Sequence, residues 1–245
     1  MKKIKLNIEN LTSLWQTVSE PVDSFFMEKE YRYSLIEKSE WPNRLWLNQG
    51  ISPQNIAMIK AKMASSLTNL TLPIWDIYPN NSLEILAKNG FTLKFEQIGM
   101  SLNRKHVFPV PGTLNLKKVT TQKQAQLWSD LFRKSFGYLI HPILISNSHK
   151  NTTFYLAFHG KVAVGTGILH TSTGASGIHS VGIIPEQRRK GYAEQIMKLI
   201  INESLQTQNQ LITLQASNMG KALYLKLGFE EQFTIKNYTL KRPSN

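Results

Sequence analysis

The chain has 245 residues, 41% of them apolar and 18% charged, which is enough to bury a substantial core as one large domain or two modest ones. It contains no cysteine, which excludes disulfide frameworks, thiolate zinc sites, iron–sulfur clusters and cysteine nucleophiles. Lys and Arg number 29 against 16 acids, a formal charge of +13, and such a surplus points to an anionic partner. The surplus is uneven: residues 1–110 hold 13 basic and 10 acidic side chains, whereas residues 111–245 hold 16 and 6. The opening MKKIKLNIENL has the lysines of a secretory leader but no apolar segment after them, and no run reaches the roughly 18 apolar residues that span a bilayer. The expectation is a cytoplasmic protein with no membrane partner.

In chain order, the first half predicts a helix over 11–27, strands at YRYSLIE (31–37) and RLWLNQ (44–49), and a helix over 53–67 opened by Ser52. LPIWDIYP (72–79) reads as a strand, NSLEILAKNG (81–90) as a helix stopped by glycine, and FTLKFEQIGMSLN (91–103) as a strand. NRKHVFPVPG (103–112), with two prolines and a glycine, reads as a linker, so the expected boundary falls near residue 110 between domains 1–110 and 111–245.

The second half opens with a strand, LNLKKV (114–119), and an amphipathic helical stretch capped by threonine, TTQKQAQLWSDLFRKSFGYLI (120–140). FYLAFHG (154–160), KVAVGTGILH (161–170) and SGIHSVGII (176–184) form a predicted three-strand meander, in which GTG (165–167) reads as a bulge. Residues 186–206 place Ala193, Ile196, Met197, Ile200 and Ile201 on one helical face, and the strand LITLQA (211–216) follows. A capped helix in SNMGKALYLKLGF (217–229) and a last strand in FEEQFTIKNYTL (229–240) complete the order βααβββαβαβ. AKNGFTLKFEQIGMSL (87–102) and LKLGFEEQFTIKNYTL (225–240) share a helix end, a Gly-Phe pair and a closing strand, which suggests an internal duplication.

Two blocks carry chemistry. In VGIIPEQRRKGYA (181–193) an apolar strand breaks at proline into a basic, glycine-containing loop that opens a helix. Exposed amides at the positive end of a helix dipole, with Gly191 allowing close backbone approach, suit a pyrophosphate. The bland alternative is a basic solvated turn. The second block, QASNMGKALYLKLGF (215–229), lies about thirty residues on, after one helix and one strand.

RRKGYA and ALYLKLGF, in this order and within this succession of elements, resemble the GNAT superfamily of acyl-CoA-dependent N-acetyltransferases over residues 112–245. The resemblance implies an α/β (α+β) fold with a mixed, mostly antiparallel central sheet flanked by helices. PIWDIYP, LAKNGF and IGMSLN resemble the reduced amino-terminal half of tandem GNAT proteins, and no phosphate loop accompanies them. Residues 1–110 are accordingly expected to be a degenerate, non-catalytic GNAT-like half that extends the sheet and walls an acceptor cleft. Trp41, Trp46, Trp75 and Tyr78 are candidates for that wall, although aromatic residues in such runs are more often core.

The resemblance further implies that acetyl-CoA is the co-substrate. The loop Arg188, Arg189, Lys190, Gly191, Tyr192, Ala193 would hold its pyrophosphate through backbone amides, and main-chain groups at Val181, Gly182 and Ile183 would pair with the pantetheine arm and hold the thioester oxygen. Ser217 stands where many relatives have an asparagine, and with Lys221 it extends the cofactor contact. Tyr224 matches the tyrosine that protonates the leaving thiolate, the alternative being a tyrosine that merely packs one face of the last helix. Many relatives carry a glutamate on the strand before the loop. This chain has Ser176, Gly177, Ile178, His179 and Ser180 there, so His179 becomes the candidate base, with an interstrand hydrogen bond as its alternative role.

No histidine set has metal-ligand spacing, and neither a GKS/GKT phosphate loop nor a GxSxG elbow occurs. The expected activity is acetyl transfer to a primary amine by direct attack in a ternary complex, in a monomer or homodimer. An acyl-CoA sensor without turnover and a basic nucleic-acid-binding module are the alternatives. The second half has few acids to cradle a cationic acceptor, although Glu28, Glu30, Glu37 and Glu40 of the first half could supply such a cradle, and the expectation leans toward a neutral or carboxylate-bearing amine, or a protein amine.

Overall fold

A computed structural model describes residues 1–77, 81–103, 107–110, 112–146 and 150–241. Helix α1 (Lys2–Ser19) leads into a three-stranded antiparallel sheet of β1 (Phe25–Met27), β2 (Tyr31–Ser34) and β3 (Arg44–Leu47). Then come α2 (Ile56–Ser65), β4 (Leu72–Asp76), α3 (Ser82–Lys88) and β5 (Phe91–Asn103). The second half runs β6 (Leu114–Lys118), α4 (Gln122–Phe136), α5 (Ile143–Ser146), β7 (Thr152–His159), β8 (Val162–Ser172), β9 (Ala175–Ile183), α6 (Tyr192–Glu203), β10 (Leu211–Ala216), α7 (Lys221–Lys226) and β11 (Glu230–Leu240). The order read from the second half is reproduced element for element. α4 starts where its sequence says it should: the Thr121 hydroxyl accepts from the Gln124 amide, and the Gln124 side chain returns to the Thr121 amide.

The main sheet has eight strands in the order β4-β11-β5-β10-β9-β8-β7-β6, so both halves of the chain contribute to it. The two segments that repeat in sequence lie side by side as β5 and β11, antiparallel, with Phe91 opposite Leu240 and Ser101 opposite Glu230. Each is preceded by a short helix and a glycine with positive φ, Gly90 (+83°) and Gly228 (+87°). These left-handed positions let the chain leave the helix and enter the strand at once. The units β4-α3-β5 and β10-α7-β11 exchange neighbours, since β11 pairs with β4 and β5 pairs with β10.

Alternation along β7 divides the core. Phe154 and Leu156 pack with α1 and α4 on one face around Trp15, Trp128 and Phe132, while Tyr155 and Ala157 face α6 with Ile196, Met197 and Ile200 on the other. Tyr31, Leu45, Ile59, Leu72 and Tyr238 form a third cluster under α2 and α3.

The first helix begins nine residues earlier than the sequence predicts and ends before Pro21. Its sheet-facing side includes the buried Asn7 and Asn10, which interrupt the apolar stripe and hide its first turns from a periodicity count. Residues 186–206 likewise form only the helix α6, flanked by 3-10 turns at Pro185–Gln187 and Ser204–Gln206. Among the described residues no helix is long and apolar enough to cross a membrane, and no His/Asp/Glu cluster could hold a metal.

Candidate acyl-transfer site

β9 and β10 pair in parallel only at Ala175–Leu211, Ser176–Ile212 and Gly177–Thr213, after which the two strands part. Beyond that point β9 keeps its ladder to β8 but bulges: Ser180 and Val181 together oppose Gly167. The extra residue thus lies on β9, opposite the GTG segment where the sequence placed it. Ser180 takes φ +54°, and its carbonyl accepts from the Thr166 hydroxyl at 2.9 Å. The Ile184 amide donates to Val164 on β8, so by alternation the Ile183 amide and carbonyl face the open side of β9; the carbonyl accepts from Arg188 Nε at 3.2 Å.

The loop after β9 is built to present amides. Arg189 (φ +63°) and Gly191 (φ +73°) are both left-handed, and Gly191 caps α6. Among the described residues, none of the amides from Arg189 to Glu194 donates to a backbone carbonyl outside the regular elements, the orphan set expected of a helix start. Arg188 is a clamp, with its second contact from Nη2 to the Ser135 carbonyl at the end of α4 (3.0 Å). Lys190 bonds Gln187 at 2.9 Å, and Arg189 is exposed. Tyr192 is buried and stacks near His159, so only its backbone is offered to the loop; Ala193 is half-buried beside it. Lys221 is ion-paired with Glu231 at 2.7 Å.

Where β9 and β10 part there is a cavity of about 380 Å³. Ile178 to Val181, Leu214, Gln215, Ser217 and Tyr224 border it from the second half, with Phe132, Phe136 and Tyr138 of the α4 end. Leu11, Leu14, Trp15, Trp41, Arg44, Phe95, Glu96 and Gln97 close it from the first half. Of the four aromatic residues considered for this wall, Trp41 lines the cavity, Trp46 and Trp75 pack into the core, and Tyr78 lies outside the described residues. Gly182 is buried against Phe136 just beyond the bulge.

Tyr224 is held against Phe229, 6.0 Å between ring centroids, with Gly220 and Ser217 alongside. Burial pushes its hydroxyl up to about 12, so it stays protonated at neutral pH. The Ser217 hydroxyl accepts from the Gly220 amide at 3.2 Å, keeping the turn into α7.

His179 is enclosed. Its Nε2 meets Asn10 Oδ1 and its Nδ1 meets Gln215 Oε1, both at 3.1 Å. Asn10 Nδ2 is engaged by the His170 and Ala175 carbonyls and the Ser172 hydroxyl, which fixes its oxygen toward His179. Gln215 Nε2 donates to Asn7 Oδ1, and Asn7 Nδ2 donates to the Met100 carbonyl, which fixes the other side. Burial, with His170 nearby, pushes the His179 ring down to about 3. Both ring nitrogens face oxygens inside the protein, and the neutral ring, with one N–H, donates to one of them at a time.

Three residues of the site lay outside the sequence reading: Asn10, Arg44 and Glu96. All belong to the first half, and no motif marks them; only the shared sheet and the docking of α1 bring them to the parting of β9 and β10.

A splayed parallel pair, a basic loop at a helix start and a buried tyrosine thus come together at one cavity. Residues 150–231 match the family model described as "Acetyltransferase (GNAT) domain", so the resemblance read from the two blocks holds for that segment. No curated protein matches the chain. Among solved structures, a GCN5-related N-acetyltransferase from Kribbella flavida superposes with TM-score 0.69 at 13% identity, covering 95% of this chain and 96% of that one. A GCN5-related N-acetyltransferase from Sphaerobacter thermophilus gives 0.64 at 14%, covering 88% and 78%. A tandem GNAT protein from the clavulanic acid biosynthesis pathway gives 0.58 at 16%, covering 88% and 79%. The chain therefore has the fold of GNAT acetyltransferases and carries a GNAT acetyltransferase domain over residues 150–231, which supports acetyl transfer in general.

Proposed function

We propose that the protein transfers the acetyl group of acetyl-CoA to a primary amine by direct attack in a ternary complex. One observation carries this reading: β9 leaves β10 after Gly177, the gap opens into a cavity bordered by Tyr224, and the same strand runs on into a loop of unpaired amides. Acetyl-CoA supplies an activated acyl thioester. The loop amides of residues 189–194 fit its pyrophosphate, with Arg189 and Lys190 adding charge and Arg188 holding the loop to α4. The Ile183 amide and the bulge at Ser180 and Val181 offer main-chain donors along the arm.

Tyr224 gives its proton to the thiolate as the C–S bond breaks and recovers one from the nitrogen, which sheds its second proton as the amide forms. In this proposal His179 is a positioning residue that ties β9 to α1 and β10. The proton of the incoming ammonium passes toward Glu96, the carboxylate among the cavity's lining residues, directly or through water. The enclosed histidine also favours a second reading, an acyl-CoA sensor without turnover, and product formation separates the two.

The test is calorimetric titration of acetyl-CoA into the wild type and an Arg189→Glu, Lys190→Glu variant, followed by a screen of amines for thiol release. Binding weakened at least tenfold in the variant, with thiol release for some amine, supports the proposal. Absence of wild-type binding at millimolar acetyl-CoA overturns it. Binding without thiol release for any amine leaves the sensor.

A further inference from the structure

The cavity contains a cation that the acetyl-transfer chemistry does not use. Arg44, on β3, lines it, yet its one side-chain hydrogen bond among the described residues runs from Nη1 to the neighbouring Asn43 carbonyl at 3.1 Å. It forms no salt bridge with any described carboxylate. Its guanidinium carbon sits 5.9 Å from the Trp15 ring centroid, with Trp41 and Tyr138 also on the lining. The nearest candidates for a partner are already placed: Glu40 accepts from the Leu139 amide at 2.7 Å, and Glu96 lines the same cavity without reaching Arg44.

A half-buried guanidinium without an ion-pair partner is costly unless something anionic completes it, and its planar fork matches a carboxylate. A second cation reinforces the field, because Lys94 on β5 is held below its ordinary value by burial and then by Arg44. Polyamines and aminoglycosides would meet like charge here. Leu11, Leu14, Trp41, Phe95, Phe132 and Phe136 form an apolar and aromatic part of the wall, Gln97, Gln215 and Ser217 add neutral polar groups, and Glu96 is the one acid on the lining.

We propose that Arg44 is the specificity-determining residue of the acceptor site and that the acceptor is an amine bearing a carboxylate on an apolar or aromatic body, as in an apolar α-amino acid. Arg44 takes the carboxylate in a two-point contact, Glu96 lies on the side of the ammonium, and the aromatic wall covers the body. The proposal rests on the acetyl-transfer reading and deepens it.

Calorimetry on protein saturated with acetyl-CoA or CoA tests it. The probes are L-phenylalanine, L-leucine and L-methionine, each against the amine of the same side chain without the carboxylate (phenethylamine, isoamylamine, 3-methylthiopropylamine), with 3-phenylpropionate and phenyl phosphate as further arms. The expected result is that at least one amino acid binds tenfold or more tightly than its amine. That preference should disappear in Arg44→Met, fall partway in Arg44→Lys, and leave acetyl-CoA affinity within twofold in both. Equal affinity of amino acid and amine, or a preference that survives Arg44→Met, overturns the proposal, as does tighter binding of phenyl phosphate than of 3-phenylpropionate. Thermal melting of both variants checks that they fold. Failure of acetyl-CoA itself to bind wild type would instead sink the acetyl-transfer reading, so the two failures are distinguishable.

Discussion

Asn10 is the best place to perturb the union of the two halves. From α1 its amide nitrogen donates to the His170 carbonyl (3.1 Å), the Ser172 hydroxyl (2.9 Å) and the Ala175 carbonyl (3.3 Å), and its oxygen meets His179 Nε2 (3.1 Å). Asn10→Ala removes all four contacts at a fully buried position. With a net worth of about 1 kcal/mol per bond, the expected loss is about 3–4 kcal/mol. In a chain of this size that corresponds to a fall of roughly 10 °C in Tm. Asn10→Asp keeps the shape but sets an oxygen against two carbonyls, and should cost at least as much above pH 6. Urea unfolding followed by tryptophan fluorescence reads it directly, since Trp15 lies on the same helix. A loss below 1 kcal/mol in Asn10→Ala would refute the account of α1 as pinned by its buried asparagines.

Three further outcomes are expected. In the native state the His179 ring is depressed to about 3 against an ordinary value near 6.5. The unfolded chain therefore takes up a proton that the native one refuses, and stability present above pH 6.5 is lost as the pH falls toward 3, by up to about 3 kcal/mol at pH 4. His179→Gln should flatten that part of the pH–stability curve, and an unchanged slope counts against it. Tyr224→Phe leaves the contact with Phe229 and should lower kcat by about 100-fold with little change in KM or Tm; a loss under threefold removes the tyrosine from proton transfer. Residues 111–245 expressed alone lose both strands that flank β11 and should aggregate, while co-expression with residues 1–110 should recover soluble complex; a monomeric, cooperatively melting 111–245 fragment would contradict this.

Much of the second half was legible because its elements are local and their signals strong. Thr121 and Gln124 open α4 by a capping box, the 2-residue alternation of β7 sorts its side chains to two cores, and the glycine-containing loop before α6 follows from Gly191 and a proline-broken strand. The repeated ending was legible too, because Gly90 and Gly228 mark the same left-handed exit from a helix in both units. What sequence could not carry is partnership across the chain. That β11 inserts between β4 and β5 depends on pairing strands more than a hundred residues apart, and no short-range pattern encodes it. The first turns of α1 were missed because Asn7 and Asn10 are polar yet buried, which only makes sense once Met100, His170 and Gln215 supply their partners. For the same reason the tertiary structure alone determined that Arg44 and Glu96 border the cavity beside Tyr224: their placement is a product of the shared sheet and the docked first half, and neither residue stands in a motif.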